Sequence, residues 1–125
     1  MKFHYNQDLN PPAPLVSVRL SHPFRPEASI EVSAKVDTAA DVTGIPETSV
    51  TSLQLERTGQ MTLMGFDRQL KPVHLYSVVV ALPSGRRGRL NAVAISIDYV
   101  LLGRDVLNHL RLLLDGPALT LEILE

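Results

Sequence analysis

The sequence predicts an all-β domain, a closed β-barrel of six or seven strands with one short helix in its C-terminal half. Apolar residues recur at every second position in stretch after stretch: Val16, Val18 and Leu20; Ile30, Val32, Ala34 and Val36; Val93, Ile95 and Ile97. Such alternation puts one face of a strand against a core and the other in water. Clusters of Gly, Pro, Asp and Ser separate these stretches at the short spacing of hairpins. One segment, 104–110, carries a clear helical stripe, formed by Val106, Leu107 and Leu110.

In chain order, Pro11, Pro12 and Pro14 make residues 1–14 an extended arm or edge segment ahead of a domain spanning 15–125, because each proline fixes φ and removes a donor. A strand through Val16–Leu20 breaks at Ser21–Pro26, which reads as a turn. The next strand ends in Asp37, with Ser29, Glu31, Ser33 and Lys35 facing away from its apolar side. Pro46 opens a short helical turn over 47–53. Residues 61–82 form a long hairpin with Gly65, Phe66 and Asp67 near its tip, and a further strand covers about 89–97. In helix 104–110, Asp105 in the first turn and His109 near the end both suit a macrodipole. Leu112–Leu114, the turn Asp115-Gly116-Pro117, and Leu119, Leu121 and Ile123 close the chain as a tight hairpin.

Bulk properties exclude several function classes. The 125 residues suffice for one domain, and 45% apolar with 20% charged residues is a globular composition. A net charge of −1 with scattered signs offers no field for nucleic acid, and Arg86, Arg87 and Arg89 read as a solvated hairpin tip. The absence of cysteine removes disulfide and thiol chemistry and fits a reducing, cytoplasmic location. No apolar run approaches the length of a membrane span. The four histidines, at positions 4, 22, 74 and 109, lack paired ligand spacing, so no metal or other cofactor is expected. There is no GxSxG elbow and no Walker lysine-hydroxyl pair.

Asp37, at the end of an amphipathic strand, is followed by Thr38, Ala39 and Ala40. An Asp-Thr pair alone reads as a turn. Its surroundings add more. The stretch Val36-Asp37-Thr38-Ala39-Ala40-Asp41-Val42-Thr43 resembles the Asp-Thr/Ser-Gly-Ala-Asp-x-Thr signature of retropepsin-like aspartic proteases. Farther along, Val100-Leu101-Leu102-Gly103-Arg104-Asp105-Val106-Leu107 resembles that family's apolar-apolar-Gly-Arg-Asn/Asp-x-Leu helix start. The hairpin around Gly65 lies between them, where the family has its flap. Two residues depart from the pattern: Ala39 stands for the usual glycine and Gly44 for an apolar residue. Ala39 must therefore hold a negative φ.

The resemblance implies a homodimeric endopeptidase in which Asp37, Thr38 and Ala39 form the catalytic loop. Its chemistry needs two carboxylates sharing one proton, so the second is Asp37 of another chain, and activity runs from acid to neutral pH. Thr38 would brace the two loops, Ala40 and Asp41 would bind an extended peptide, and Met64, Gly65 and Phe66 would close over it. Arg104 would support the loop through a buried or half-buried bidentate pair with Asp41, the kind whose disruption costs ~3–5 kcal/mol. The competing expectations are a catalytically inactive dimerisation or peptide-binding module of the same fold, and an unrelated small β-barrel binding protein.

Overall fold

The computed structural model describes residues 1–124. Ten strands and two short helices are present among them. The strands are β1 (Lys2–His4), β2 (Leu15–His22), β3 (Arg25–Val36), β4 (Gly44–Pro46), β5 (Arg57–Met64), β6 (Leu70–Ala81), β7 (Arg87–Ile95), β8 (Val100–Leu102), β9 (Arg111–Asp115) and β10 (Thr120–Leu124). The helices are α1 (Glu47–Leu53) and α2 (Arg104–Leu107).

The larger sheet runs β2-β3-β8-β4-β7-β6-β5, and β2 pairs back onto β6 through Arg19–Ala81, Leu20–Val80 and Ser21–Val79. That pairing closes the ring which the alternating pattern predicts. Its interior is filled by Val16, Val18, Leu20, Ala34, Ile45, Val78, Val80 and Leu102, all buried. Each of these side chains except that of Ala34 contributes about 1.5–3 kcal/mol on removal from water. The smaller sheet, β1-β10-β9, packs Leu121 into the same core, with Phe3 against it. The N-terminal segment is thus tied down: β1 pairs with β10, and the Met1 ammonium donates to the Ile123 carbonyl at 3.0 Å.

The helical turn expected over 47–53 forms as α1, and the later helix is shorter than expected, so the earlier of the two is the longer. α2 ends at Leu107, short of the expected 110, because His109 and Leu110 donate to carbonyls only three residues back and β9 begins at Arg111. A four-residue helix has almost no macrodipole, so Asp105 is placed for another reason. Its carboxylate accepts from the Thr43 amide at 3.0 Å and from the Thr43 hydroxyl at 2.6 Å. The same hydroxyl oxygen accepts from the Gly103 amide at 3.1 Å. Thr43 is fully buried, so these bonds satisfy a hydroxyl that water cannot reach.

This junction presses Gly103 against the chain. A Cβ there would lie 2.6 Å from the Val42 carbonyl carbon and 2.7 Å from its oxygen, and backbone cannot yield as a side-chain tip can. Gly103→Ala is expected to lower the unfolding free energy by about 1–3 kcal/mol, as overpacking does. Thr43→Val removes the hydroxyl that bonds the Asp105 carboxylate and leaves the buried Gly103 amide without its acceptor, and is expected to cost a similar amount. Urea titration of both variants checks this, and unchanged midpoints would show that the junction does not hold α2 in place.

Candidate active site

Asp37 lies where β3 leaves the ring. Its amide donates to the Leu102 carbonyl at 3.1 Å, extending the parallel β3–β8 ladder by one residue. Strand alternation therefore continues through this position and turns the side chain away from the core side occupied by Ala34. One carboxylate oxygen, Oδ1, accepts from the Ala39 amide at 3.1 Å, and the Asp37 carbonyl accepts from the Ala40 amide at 3.2 Å. Among the described residues Oδ2 has no protein partner. Ala39 holds a negative φ, as its methyl demands. At the other departure from the motif, Gly44, the missing side chain is replaced in space by Ile95, two of whose carbons would lie 3.0 Å from a Cβ.

Arg104 reaches this loop from α2. Its backbone amide donates to the Ala40 carbonyl at 2.9 Å, Nη1 donates to the Thr38 carbonyl at 2.9 Å, and Nη2 pairs with Asp41 Oδ1. The geometry differs from the bidentate, half-buried pair expected. The guanidinium splits its donors between a carboxylate and a backbone oxygen, and the two side chains are 43% and 73% exposed. An ion pair in that setting contributes ~0–1 kcal/mol. Its effect is to fix where Thr38 and Asp41 sit.

Met64, Gly65 and Phe66 are at the far end of the β5–β6 hairpin, and no hydrogen bond among the described residues links them to the Asp37 loop. Phe66 is 109% exposed and Met64 and Leu70 largely so, which leaves an apolar tip in solvent. The turn is closed by Gly65 N–H to Gln69 O at 3.0 Å and Arg68 N–H to Gly65 O at 2.9 Å. The left-handed residue is Arg68, at φ 63°, and not Gly65.

Two site features escaped the sequence reading. One is the bond between the buried Thr43 and the half-buried Asp105, whose signal was a hydroxyl residue bracketed by Val42 and Ile45 within an apolar stretch. Lys35 is the other. It shares the strand face of Asp37, which alternation alone reveals, and its ammonium stands 5.9 Å from the centroid of the Tyr99 ring. Two cavities, of about 260 Å³ beneath Arg86–Leu90 and His109 and about 350 Å³ between α1 and β6, lie away from Asp37. No helix among the described residues is long and apolar enough to cross a membrane.

No family model matches the chain, and no curated protein matches it. Solved structures do resemble it. A retropepsin-like aspartic protease from Rickettsia conorii superposes with a TM-score of 0.61 at 15% identity, over 97% of this chain and 88% of that one. The EIAV protease, solved with the inhibitor HBY-793, gives a TM-score of 0.60 at 18% identity over 86% and 93%. The foamy viral protease-reverse transcriptase, solved with an RNA/DNA hybrid, gives 0.57 at 18% identity over 78% of this chain. The match spans only 12% of that much longer protein. With a closed ring of strands, a projecting hairpin and a short helix under the Asp37 loop, the chain has the retropepsin-like fold.

Proposed function

We propose that two copies of this chain form an aspartic endopeptidase, with the paired Asp37 carboxylates activating water for attack on a peptide bond. The observation that carries this reading is Asp37 itself, held at a strand-to-loop corner of a fold shared with aspartic proteases and with one carboxylate oxygen unbonded. One ionised carboxylate takes a proton from water as the oxygen attacks the carbonyl carbon. The protonated partner hydrogen-bonds the carbonyl oxygen and then supplies the proton that leaves with the amine. A single chain offers one such residue, so a two-fold axis supplies the other.

Further features support the reading. Within the loop, the Ala39 and Ala40 amides are already used, which leaves the Asp41 amide and the Ala39 carbonyl to pair with an extended substrate strand. The apolar tip at Met64, Gly65 and Phe66 closes over that strand. Met1, Leu113, Leu114 and Leu124 are exposed on the smaller sheet, and the outer edge of β9 has no strand partner among the described residues. Such an edge is a surface on which a second copy can pair. The lack of cysteine suits a cytoplasmic setting.

Asp37→Asn is expected to leave folding and self-association intact while abolishing cleavage of a peptide library at pH 4–7. Cleavage near the wild-type rate would sink the assignment, and wild-type dimers that bind peptide without cutting it would identify a binding module instead. Specific activity should also fall on dilution through the dimer dissociation constant, so a chain shown by sedimentation to be monomeric yet still active would exclude a shared site. Arg104→Lys is expected to change the unfolding free energy by no more than about 1 kcal/mol, because its ion pair is exposed. The same variant should lower kcat/KM at least tenfold, because an ammonium cannot hold the Thr38 carbonyl and Asp41 in one plane. Equal kcat/KM in parallel assays would refute that role.

A further inference from the structure

From the placement of Lys35 we infer that the cleft selects peptides with an acidic side chain beside the scissile bond, Lys35 being the specificity-determining residue. This rests on the protease reading of Asp37 and extends it to a substrate class. The backbone supplies the first part. Lys35 and Asp37 are two residues apart on a continuous β ladder, so their side chains leave the same face about 7 Å apart. Ala34 and Val36, between and beside them, point to the core side. Across the ladder Lys35 pairs with Leu101, which stands on the same face between the buried Val100 and Leu102.

The surroundings of the ammonium supply the second part. Lys35 is half-buried, and its nitrogen is held over the face of Tyr99. A ring face attracts a cation but does not neutralise it. The ion pairs among the described residues are Arg19–Glu31 and Arg104–Asp41, so no carboxylate answers Lys35. An oriented cation with an aliphatic neighbour, Leu101, and an aromatic one, Tyr99, is a subsite for a carboxylate on a short apolar stem. Glutamate and aspartate have that form. A leucine or phenylalanine in the same place would cover the ammonium and strip its water without supplying a counter-charge, which is costly. In the two-fold dimer each chain contributes one lysine on the face of its own Asp37, so an acidic residue is favoured on both sides of the bond that is cut.

Peptide pairs that differ only by Glu against Gln next to the scissile bond test this at about pH 6, where a free Glu is ionised. The wild-type dimer is expected to favour the Glu peptide about tenfold in kcat/KM, mainly through KM, with the preference shrinking as salt is added. Lys35→Met should erase the preference while still cutting the Gln peptide, and Lys35→Glu should transfer it to a peptide with Lys at that position. Binding of the same peptides to the non-cleaving Asp37→Asn dimer, followed by fluorescence anisotropy, gives a readout that needs no catalysis. Equal handling of Glu and Gln by the wild type, no binding of either peptide, or a preference that survives in Lys35→Met overturns the inference, and cleavage without charge preference does so while leaving the protease reading intact. Charge-selective binding lost in Lys35→Met, with no cleavage by the wild type, supports this subsite and removes the protease reading.

Discussion

A single buried hydroxyl organises this molecule. Thr43 has no access to solvent, and a polar group in that position must find partners within the protein. It finds them in Asp105 and Gly103, 62 and 60 residues away along the chain. Those bonds lock the start of α2 beneath the Asp37 loop, and the neighbouring residue, Arg104, then reaches Thr38 and Asp41. The two anchors act differently. Leaving the buried Gly103 amide without the Thr43 hydroxyl costs about 1–3 kcal/mol, whereas an exposed ion pair contributes ~0–1 kcal/mol. The Thr43 junction therefore holds the loop in the fold, and Arg104 sets the shape of the loop once it is held.

Much of the fold was legible because the pattern that encodes it is local. Val16, Val18 and Leu20 alternate in sequence and are buried in the structure, as is true of Leu121 and Ile123 in the terminal hairpin, whereas Leu119 lies in its turn at φ 53°. What escaped lacks a local signal. β1, β4 and β8 have three residues each, too few for any period to show. Closure of the ring by β2 and β6 joins residues some 60 apart, and nothing in either strand announces the other. The short α2 was overread because Leu110 continues a helical spacing that a tight turn also satisfies. At the hairpin tip, glycine drew attention by its freedom, yet the left-handed backbone falls on Arg68.

The candidate site was legible for a different reason. Its residues, Asp37 to Thr43 and Gly103 to Asp105, are those that touch one another, so each position is constrained by a named contact. Gly103 admits no Cβ, Thr43 needs its hydroxyl, and Arg104 needs a planar array of donors. Such constraints leave a recognisable string even where overall identity to solved structures is only 15–18%. Lys35 makes no such contact with the junction. Its position on the face of Asp37 follows from counting along a strand, and its company, Tyr99 and Leu101, emerges only from the pairing of β3 with β8.

The twelve-residue strand β6 belongs to two structures at once. Its second half, from Ser77 onward, is built into the ring: Val78 and Val80 are buried, and Arg89 Nε donates to the Ser77 hydroxyl at 2.8 Å. Its first half has only β5 beside it until Leu75, and most of its side chains there are exposed. Opposite this change of company, the register of β5 slips between Arg57 and Gly59. The hairpin is therefore a lever with its fulcrum at residues 75–77, stiff below and compliant above. No side chain between residues 57 and 74 belongs to the core, so the tip can swing at a free-energy cost far below that of unfolding the ring.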